Sequence, residues 1–480
     1  MSKLRRLAGE TVLYGLGSIL PRFLSFLLVR LHTDVFSPEE YGIITKVYAY
    51  VAVVNIVLIF GMETAYFRFA SKPGVDEKRI FNLSQTVVIV FSTLLSLGFI
   101  LLANPISETL SVPGRSNLVI WLVLIMFIDA IASIPFARLR LQKKATRFAT
   151  GKLLNICILV GLNIFFLKFS TTYIPDVSLV ILANLAANVF YLFFFAPTLL
   201  TWRPAYDKAI SPTMYRYAYP IMLTGLAGMT NEMFSRITLE RWLPDGFYGA
   251  QSQEYALGIF GACYKLAVLM MLAIQAFRYA AEPFFFSNAA EKNSPQLFAT
   301  VNHYFVIVCC IILLGVSINL DILKYFLGDA AYWEGLHIVP ILLLAYLFLG
   351  VYYNFSIWFK LTDKTHYGTL ITIAGVVITI LANYFLIPVA GYTGSALAAL
   401  FCYAGMTGIC YVTGQRFFPI PYNLPKAMAY IGLTTILVYA INLIEIDHQA
   451  LATTFHMGVM AIYLLVIYLI EGKALRHRRA

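Results

Sequence analysis

Apolar stretches of about 20 residues, separated by short polar breaks, run the length of the chain and leave few folds open. A helix of that length crosses a hydrocarbon core of about 30 Å. Inside lipid every backbone N–H and C=O must find a partner within the protein, so a run of this length reads as a helix. Fourteen runs can be counted, at about 9–31, 41–69, 82–104, 117–137, 150–168, 177–200, 216–243, 254–280, 297–319, 336–359, 367–387, 392–413, 425–444 and 451–470. Composition agrees, with 60% hydrophobic residues and only 12% charged, about half the charge of a soluble domain. The expected fold class is an all-α polytopic membrane protein with about 14 transmembrane helices. The breaks SPEEYG at 37–42, KPGVDEK at 72–78, LPDGFYG at 243–249, GYTG at 391–394 and FPIPYNLP at 418–425 carry turn and helix-stop residues. MSKLRR resembles the basic region of a signal peptide. The apolar stretch behind it is longer than a signal core and lacks a small-x-small cleavage site, so an uncleaved first helix is expected.

The net charge of +11 could suggest nucleic acid, but its placement argues against that. With the N-terminus in the cytoplasm, the basic residues gather on one side: Lys3, Arg5 and Arg6; Arg68, Lys72, Lys78 and Arg79; Arg138, Arg140, Lys143, Lys144, Arg147 and Lys152; and the tail Lys473, Arg476, Arg478 and Arg479. The opposite loops hold Asp34, Glu39, Glu40, Asp245, Asp329, Glu334, Glu445 and Asp447. This is the positive-inside pattern, and it places both termini in the cytoplasm. The six cysteines, Cys157, Cys263, Cys309, Cys310, Cys402 and Cys410, sit in apolar runs without zinc-ligand spacing and read as small core residues.

The chain repeats. Arg22 precedes Glu40-Tyr41 by the same interval at which Arg236 precedes Glu254-Tyr255, and the first and seventh runs both lead from inside to outside. The expected organisation is a six-helix bundle over 1–205, a second over 206–417, and an extra helix pair with a basic tail over 418–480. A parallel repeat of this kind places a substrate site near mid-bilayer between the halves.

Several charges lie at that depth. NEMFSRITLERW, 231–242, follows the apolar PIMLTGLAGMT and carries Glu232, Arg236, Glu240 and Arg241. Glu232, Arg236 and Glu240 are spaced by four and form one helical stripe, which Asn231 roughly extends. An unpaired charge at mid-bilayer costs about 2.5–3.5 kcal/mol on insertion scales, so such a stripe must face protein or water. Arg22 follows Pro21 near the middle of the first run, Lys46 lies in the second and Lys265 in the eighth. Arg22, Lys46, Arg236 and Lys265 thus form a candidate anion site, since guanidinium forks match phosphate oxygens. The bland alternative is that these charges pair off and lock helices together. Asp129 and Glu63 are candidate ion-coupling carboxylates, with pairing to a neighbouring base as their alternative. Arg30, Arg68 and Arg241 lie near helix ends and can snorkel. Pro21 and Pro220 predict kinks. RYAAEPFFF at 278–286 and YNFSIWF at 353–359 read as interfacial aromatic belts, although aromatic faces also stack on sugars. No HExxH, GxSxG or Walker A sequence is present, and no metal or other cofactor is expected.

LYGLGSILPRFLSFLLVRL…FSPEEYG at 13–42, GMETAYFRFA at 61–70, DAIASIPFARLRLQ at 129–142, GLAGMTNEMFSRITL at 225–239 and FRYAAEPFFFS at 277–287, in this order, resemble the oligosaccharide flippases. These belong to the multidrug/oligosaccharidyl-lipid/polysaccharide exporter superfamily. The resemblance implies a V-shaped, MATE-like arrangement of two six-helix bundles around a central cavity. It implies transfer of a sugar unit on polyprenyl diphosphate from the cytoplasmic to the outer leaflet of a bacterial inner membrane, for O-antigen, capsule or exopolysaccharide synthesis. It also implies partners among polysaccharide polymerases and glycosyltransferases. The family's cavity-lining basic residues carry over to Arg22 and Arg236, while Lys46 and Lys265 rest on their placement. Asn231 and Glu232 would line the same cavity. The extra pair over 425–470 resembles that of peptidoglycan-precursor flippases, where it forms a groove for the lipid tail, so that substrate stays open. A drug or cation antiporter of the same superfamily and a non-transporting scaffold are further alternatives. Coupling to an H+ or Na+ gradient, to membrane potential or to product consumption is left open.

Overall fold

The computed structural model describes residues 20–479 except 22, 73, 111, 170–175, 290, 445 and 447, with side chains described throughout except at 280, 283 and 473–479. Arg22, the MSKLRR segment, Glu445 and Asp447 therefore lie outside the described residues. Regular structure among the described residues is entirely helical.

Eleven helical segments are long and apolar enough to cross a membrane. The longest, His366–Phe417, is two helices joined at Gly391, whose φ of 55° and ψ of −133° lie outside the helical region. Only glycine adopts that backbone easily, and a Cβ there would stand 2.1 Å from the Tyr248 hydroxyl. That hydroxyl accepts from the Tyr392 amide at 3.1 Å, and the two tyrosine rings stack at 4.8 Å. The break read at 391–394 falls at this joint. Splitting the long helix there, and adding the 32-residue Ser211–Trp242 helix and the helical residues of 20–35, accounts for every apolar run read from the sequence.

The polar breaks start helices as well as stop them. In SPEEYG, Ser37 and Glu40 form a reciprocal capping box with Pro38 at the first helical turn. Asp76 and Asn423 cap the helices that follow them, accepting from the Lys78 and Lys426 amides at 2.9 and 3.1 Å.

Contact density divides the chain into two compact units, Met1–Ala262 with Thr369–Cys402, and Cys263–Gly368 with Tyr403–Ala480. Ser211–Trp242 packs lengthwise on Pro38–Ile59 and lies in the first unit. In that unit Ser116–Leu141 is the central helix, packed on Glu77–Leu101 and Val177–Phe194. Phe136, Phe148, Tyr191 and Phe195 form an aromatic core near its C-terminal end, with edge-on ring contacts of 4.7–5.5 Å around Phe136. Near the start of Gln253–Asn288, glycines allow backbones to touch. A Cβ on Gly42 would lie 2.1 Å from the Glu254 carbonyl oxygen, and one on Gly258 would lie 1.8 Å from that of Pro38. Such small-residue crossings let membrane helices pack at backbone distance.

In the second unit the C-terminal pair, Leu424–Asn442 and Gln449–Arg479, is fastened to Ser294–Ile318 by polar contacts. Glu471, buried near the end of the last helix, accepts from the Tyr430 hydroxyl at 2.7 Å. Lys426 Nζ stands 2.7 Å and His303 Nε2 3.1 Å from its carboxylate. Towards the other end, His456 Nδ1 lies 3.6 Å from Asp321. A carboxylate at this depth needs such partners to offset its lost hydration.

Candidate functional site

The charged stretch 231–242 lies within one continuous helix, which carries Pro220 inside it; the Thr224 hydroxyl donates back to the Pro220 carbonyl at 2.9 Å. The four-residue spacing places Glu232, Arg236 and Glu240 along one stripe, and tertiary contacts give each end different surroundings.

At the Trp242 end, Glu240 reaches the Pro38–Ile59 helix. Lys46 Nζ lies 2.6 Å from Glu240 Oε2 and 3.8 Å from Glu254 Oε1. Lys46 is 2% exposed, whereas the two carboxylates keep 16% and 22% of their surface. The glycine crossing at Gly42 and Gly258 brings Glu254 close enough for this. In this conformation the ammonium is therefore neutralised by two carboxylates and is not presented to an anion. Of the four basic residues read as a diphosphate site, Lys46 best fits the helix-locking alternative.

One turn back along the helix, Arg236 is 8% exposed, and its Nη1 lies 2.7 Å from Met233 Sδ. Asn231 is 5% exposed and has its amide satisfied from the first helix of His366–Phe417. Its Nδ2 donates to the Thr372 carbonyl at 3.1 Å, and the Thr379 hydroxyl donates to its Oδ1 at 3.3 Å. Asn383, fully buried one turn beyond, donates to the Thr379 carbonyl at 2.8 Å. Thr372, Thr379 and Asn383 are spaced by seven and four residues on one helical face, a polar stripe in an apolar run that the sequence reading missed. Glu232 is half-buried, and Arg241 is exposed at the helix end as its snorkelling position requires. The structure thus brings Asn231, Arg236, Glu240 and Lys46 onto two packed helices of one unit. Lys265 is half-buried on Gln253–Asn288 and belongs to the second unit.

The two candidate coupling carboxylates sit elsewhere in the first unit. Glu63 pairs with Arg140, whose guanidinium lies 4.9 Å over the Phe67 ring. Beside it Arg138 Nη2 stands 3.0 Å from Glu77, which also accepts from the Tyr66 hydroxyl. Glu63 is therefore part of an ion-pair layer with Arg140, Arg138 and Glu77 at the helix ends. Asp129 is half-buried among helices and senses the positive charge of Lys152, whose Nζ rests 4.1 Å over the Phe136 ring. Asn155 and Asn188 line the same interior, with Asn155 Nδ2 donating to the Ala187 carbonyl at 2.7 Å and to Asn188 Oδ1 at 3.2 Å. The asparagines in otherwise apolar runs were the signal that could have revealed this pocket of polarity.

Among the described residues, no group of three or more His, Cys, Asp or Glu side chains is arranged to hold a metal ion. The described cysteines form no disulfide, and five of the six are buried, as expected of small core residues.

The charged stripe lies on a long helix of an all-helical, multi-pass membrane protein. Residues 27–328 match the model of the polysaccharide biosynthesis protein family, and the chain belongs to that family. A search of curated proteins by sequence finds no significant match. Among solved structures, the lipid II flippase MurJ in an inward closed conformation is similar over 95% of this chain and 99% of its own, at 12% identity and a TM-score of 0.71. An inward-facing multidrug resistance MATE family transporter of the MOP superfamily is similar over 91% of this chain and 96% of its own, at 14% identity and a TM-score of 0.63. An outward-facing structure of such a transporter reaches a TM-score of 0.54 at 13% identity, covering 92% and 97%. At these identities the likeness establishes the fold: a multi-pass, all-helical, MATE- and MurJ-like membrane protein.

Proposed function

We propose that the protein flips a polyprenyl-diphosphate-linked oligosaccharide from the cytoplasmic to the outer leaflet by alternating access between two helical bundles, with both termini in the cytoplasm. The family membership supports a role in polysaccharide biosynthesis, and the transporter fold supports movement rather than chemistry. The observation that carries the anionic substrate is Arg236. It is a guanidinium held in a membrane-spanning helix, flanked by the satisfied amide of Asn231. Glu232, one turn before it, is spaced to orient it. A diphosphate is the anion whose oxygens match a guanidinium fork. Arg22, in the first span, is the further basic candidate for the same anion. Asp129 and Glu63, each near a base, would serve any ion coupling by exchanging a partner. The lipid tail stays in the bilayer, so only the head group crosses.

The test is a flipping assay on purified protein in liposomes. A polyprenyl-diphosphate oligosaccharide is placed in one leaflet, and an impermeant glycan-modifying enzyme reports its arrival in the other. Protein-dependent arrival, lost in Arg236→Ala and in Arg22→Ala with folding intact, is expected. Unchanged transport in both variants would remove the anion site. A second substrate, the peptidoglycan lipid precursor, is favoured by the similarity to MurJ along nearly the whole chain, extra helix pair included. Running the same assay with lipid II separates the two.

A further inference from the structure

The two aromatic stretches that the flippase reading leaves unused meet in the second unit. Arg278, from RYAAEPFFF, lies with its guanidinium carbon 3.8 Å from the centroid of the Tyr353 ring, from YNFSIWF. The same small recess is lined by Phe277, Phe285 and Ile357 on its apolar side and by Asn354, Glu282 and Lys360 on its polar side. Behind it Phe285 packs edge-on against Phe298 at 5.0 Å, and both are buried.

Aromatic residues here could stack on a sugar, but the Tyr353 face within the recess is already covered by Arg278. What remains available is the guanidinium. A cation–π contact engages the guanidinium through the ring face and uses none of its five N–H donors as a hydrogen bond to an acceptor atom. Glu282, one turn further along the helix, is the natural counter-ion, yet its carboxylate is held by Lys360 at 2.5 Å. Among the described residues, Arg278 has no carboxylate within ion-pair distance; its recorded partner is the tyrosine ring. A guanidinium with no carboxylate in ion-pair distance is a receptor for a phosphoryl group, because charge-assisted forked bonds to such oxygens are the strongest it can make.

We propose that Arg278, held on Tyr353, is a second anion site that takes the diphosphate head group of the lipid-linked substrate at the cytoplasmic side, as a loading site separate from Arg236. The identity of that head group and the side of entry rest on the flippase reading; the receptor chemistry does not.

The probe is farnesyl diphosphate, titrated calorimetrically into the purified full-length protein carrying Arg236→Ala, so that residual binding reports on Arg278. Adding Arg278→Ala is expected to weaken this binding about tenfold, with monodisperse elution retained. Arg278→Lys should not restore it, since an ammonium cannot stack and fork together. Tyr353→Leu should weaken it while leaving the arginine in place. Equal affinity with and without Arg278, or no residual binding in Arg236→Ala, would overturn the proposal. Inorganic pyrophosphate binding as tightly as farnesyl diphosphate would show a soluble anion site and overturn the loading role. So would loss confined to phosphatidylglycerol in nanodiscs, which would mark a phospholipid contact. Arg278-dependent binding without flipping of any lipid would sustain this site and sink the flippase reading instead.

Discussion

Exchanging Glu240 for glutamine gives the sharpest test of how the charged stripe is held. Lys46 is 2% exposed and cannot turn to water, so after the exchange its ammonium keeps only Glu254, at 3.8 Å instead of 2.6 Å. Removing one partner of a buried pair costs about 3–5 kcal/mol when the other is left alone. The remaining carboxylate reduces this to roughly 2–3 kcal/mol, allowing for the longer distance. Lys46→Met leaves two carboxylates with 16% and 22% exposure, which rehydrate in part, so its cost should be smaller, about 1–2 kcal/mol. Glu254→Gln should cost less than about 1 kcal/mol, because the shorter pair survives. The double exchange Lys46→Met with Glu240→Gln removes the buried charge together with its main partner and should be less damaging than Glu240→Gln alone. Apparent melting temperatures of the purified variants in one detergent would rank them. A double variant destabilised by the sum of its singles would refute the idea that the pair is an interaction rather than two separate contributions.

Other outcomes follow from the same geometry. Asn231→Leu should lower stability by about 1–3 kcal/mol, because it strands the Thr372 carbonyl and the Thr379 hydroxyl inside the unit; thermal unfolding measures it. Gly258→Leu should disrupt the crossing with Pro38–Ile59, since even a Cβ would lie 1.8 Å from the Pro38 carbonyl. A lowered apparent melting temperature of the purified variant measures it. Glu471→Gln should loosen the C-terminal pair by weakening its ties to Lys426 and His303, seen as faster proteolysis after Phe417. In the loop before Ser211–Trp242, Asp207 accepts from the Ala209 and Ile210 amides and pairs with Arg79, and these hold its pKa below the usual carboxylate value. A depressed pKa means the contribution is complete above the ordinary value of about 3.9 and is lost only as pH falls through the lower, folded one. Amide exchange at Ala209 should therefore stay protected down to the ordinary carboxylate range. Loss of protection near neutral pH would contradict this.

The sequence alone determined the helices and the fold class. A bilayer forbids unpaired backbone, so the length of each apolar run dictates a helix, and Ser37, Pro38, Asp76, Gly391 and Asn423 mark its ends through short-range hydrogen bonds and backbone sterics. The periodicity of 231–242 likewise showed that Glu232, Arg236 and Glu240 share a face. Which charge meets which partner was decided by tertiary structure. Lys46 looked equivalent to Arg236 as a cavity cation until the Gly42 and Gly258 crossing placed Glu254 beside it. Asn231 found its partners some 140 residues away, at Thr372 and Thr379. Arg278 and Tyr353 read as belt residues until they stacked. Electrostatic energy depends on distance and on local exclusion of water, and neither is a property of spacing along the chain.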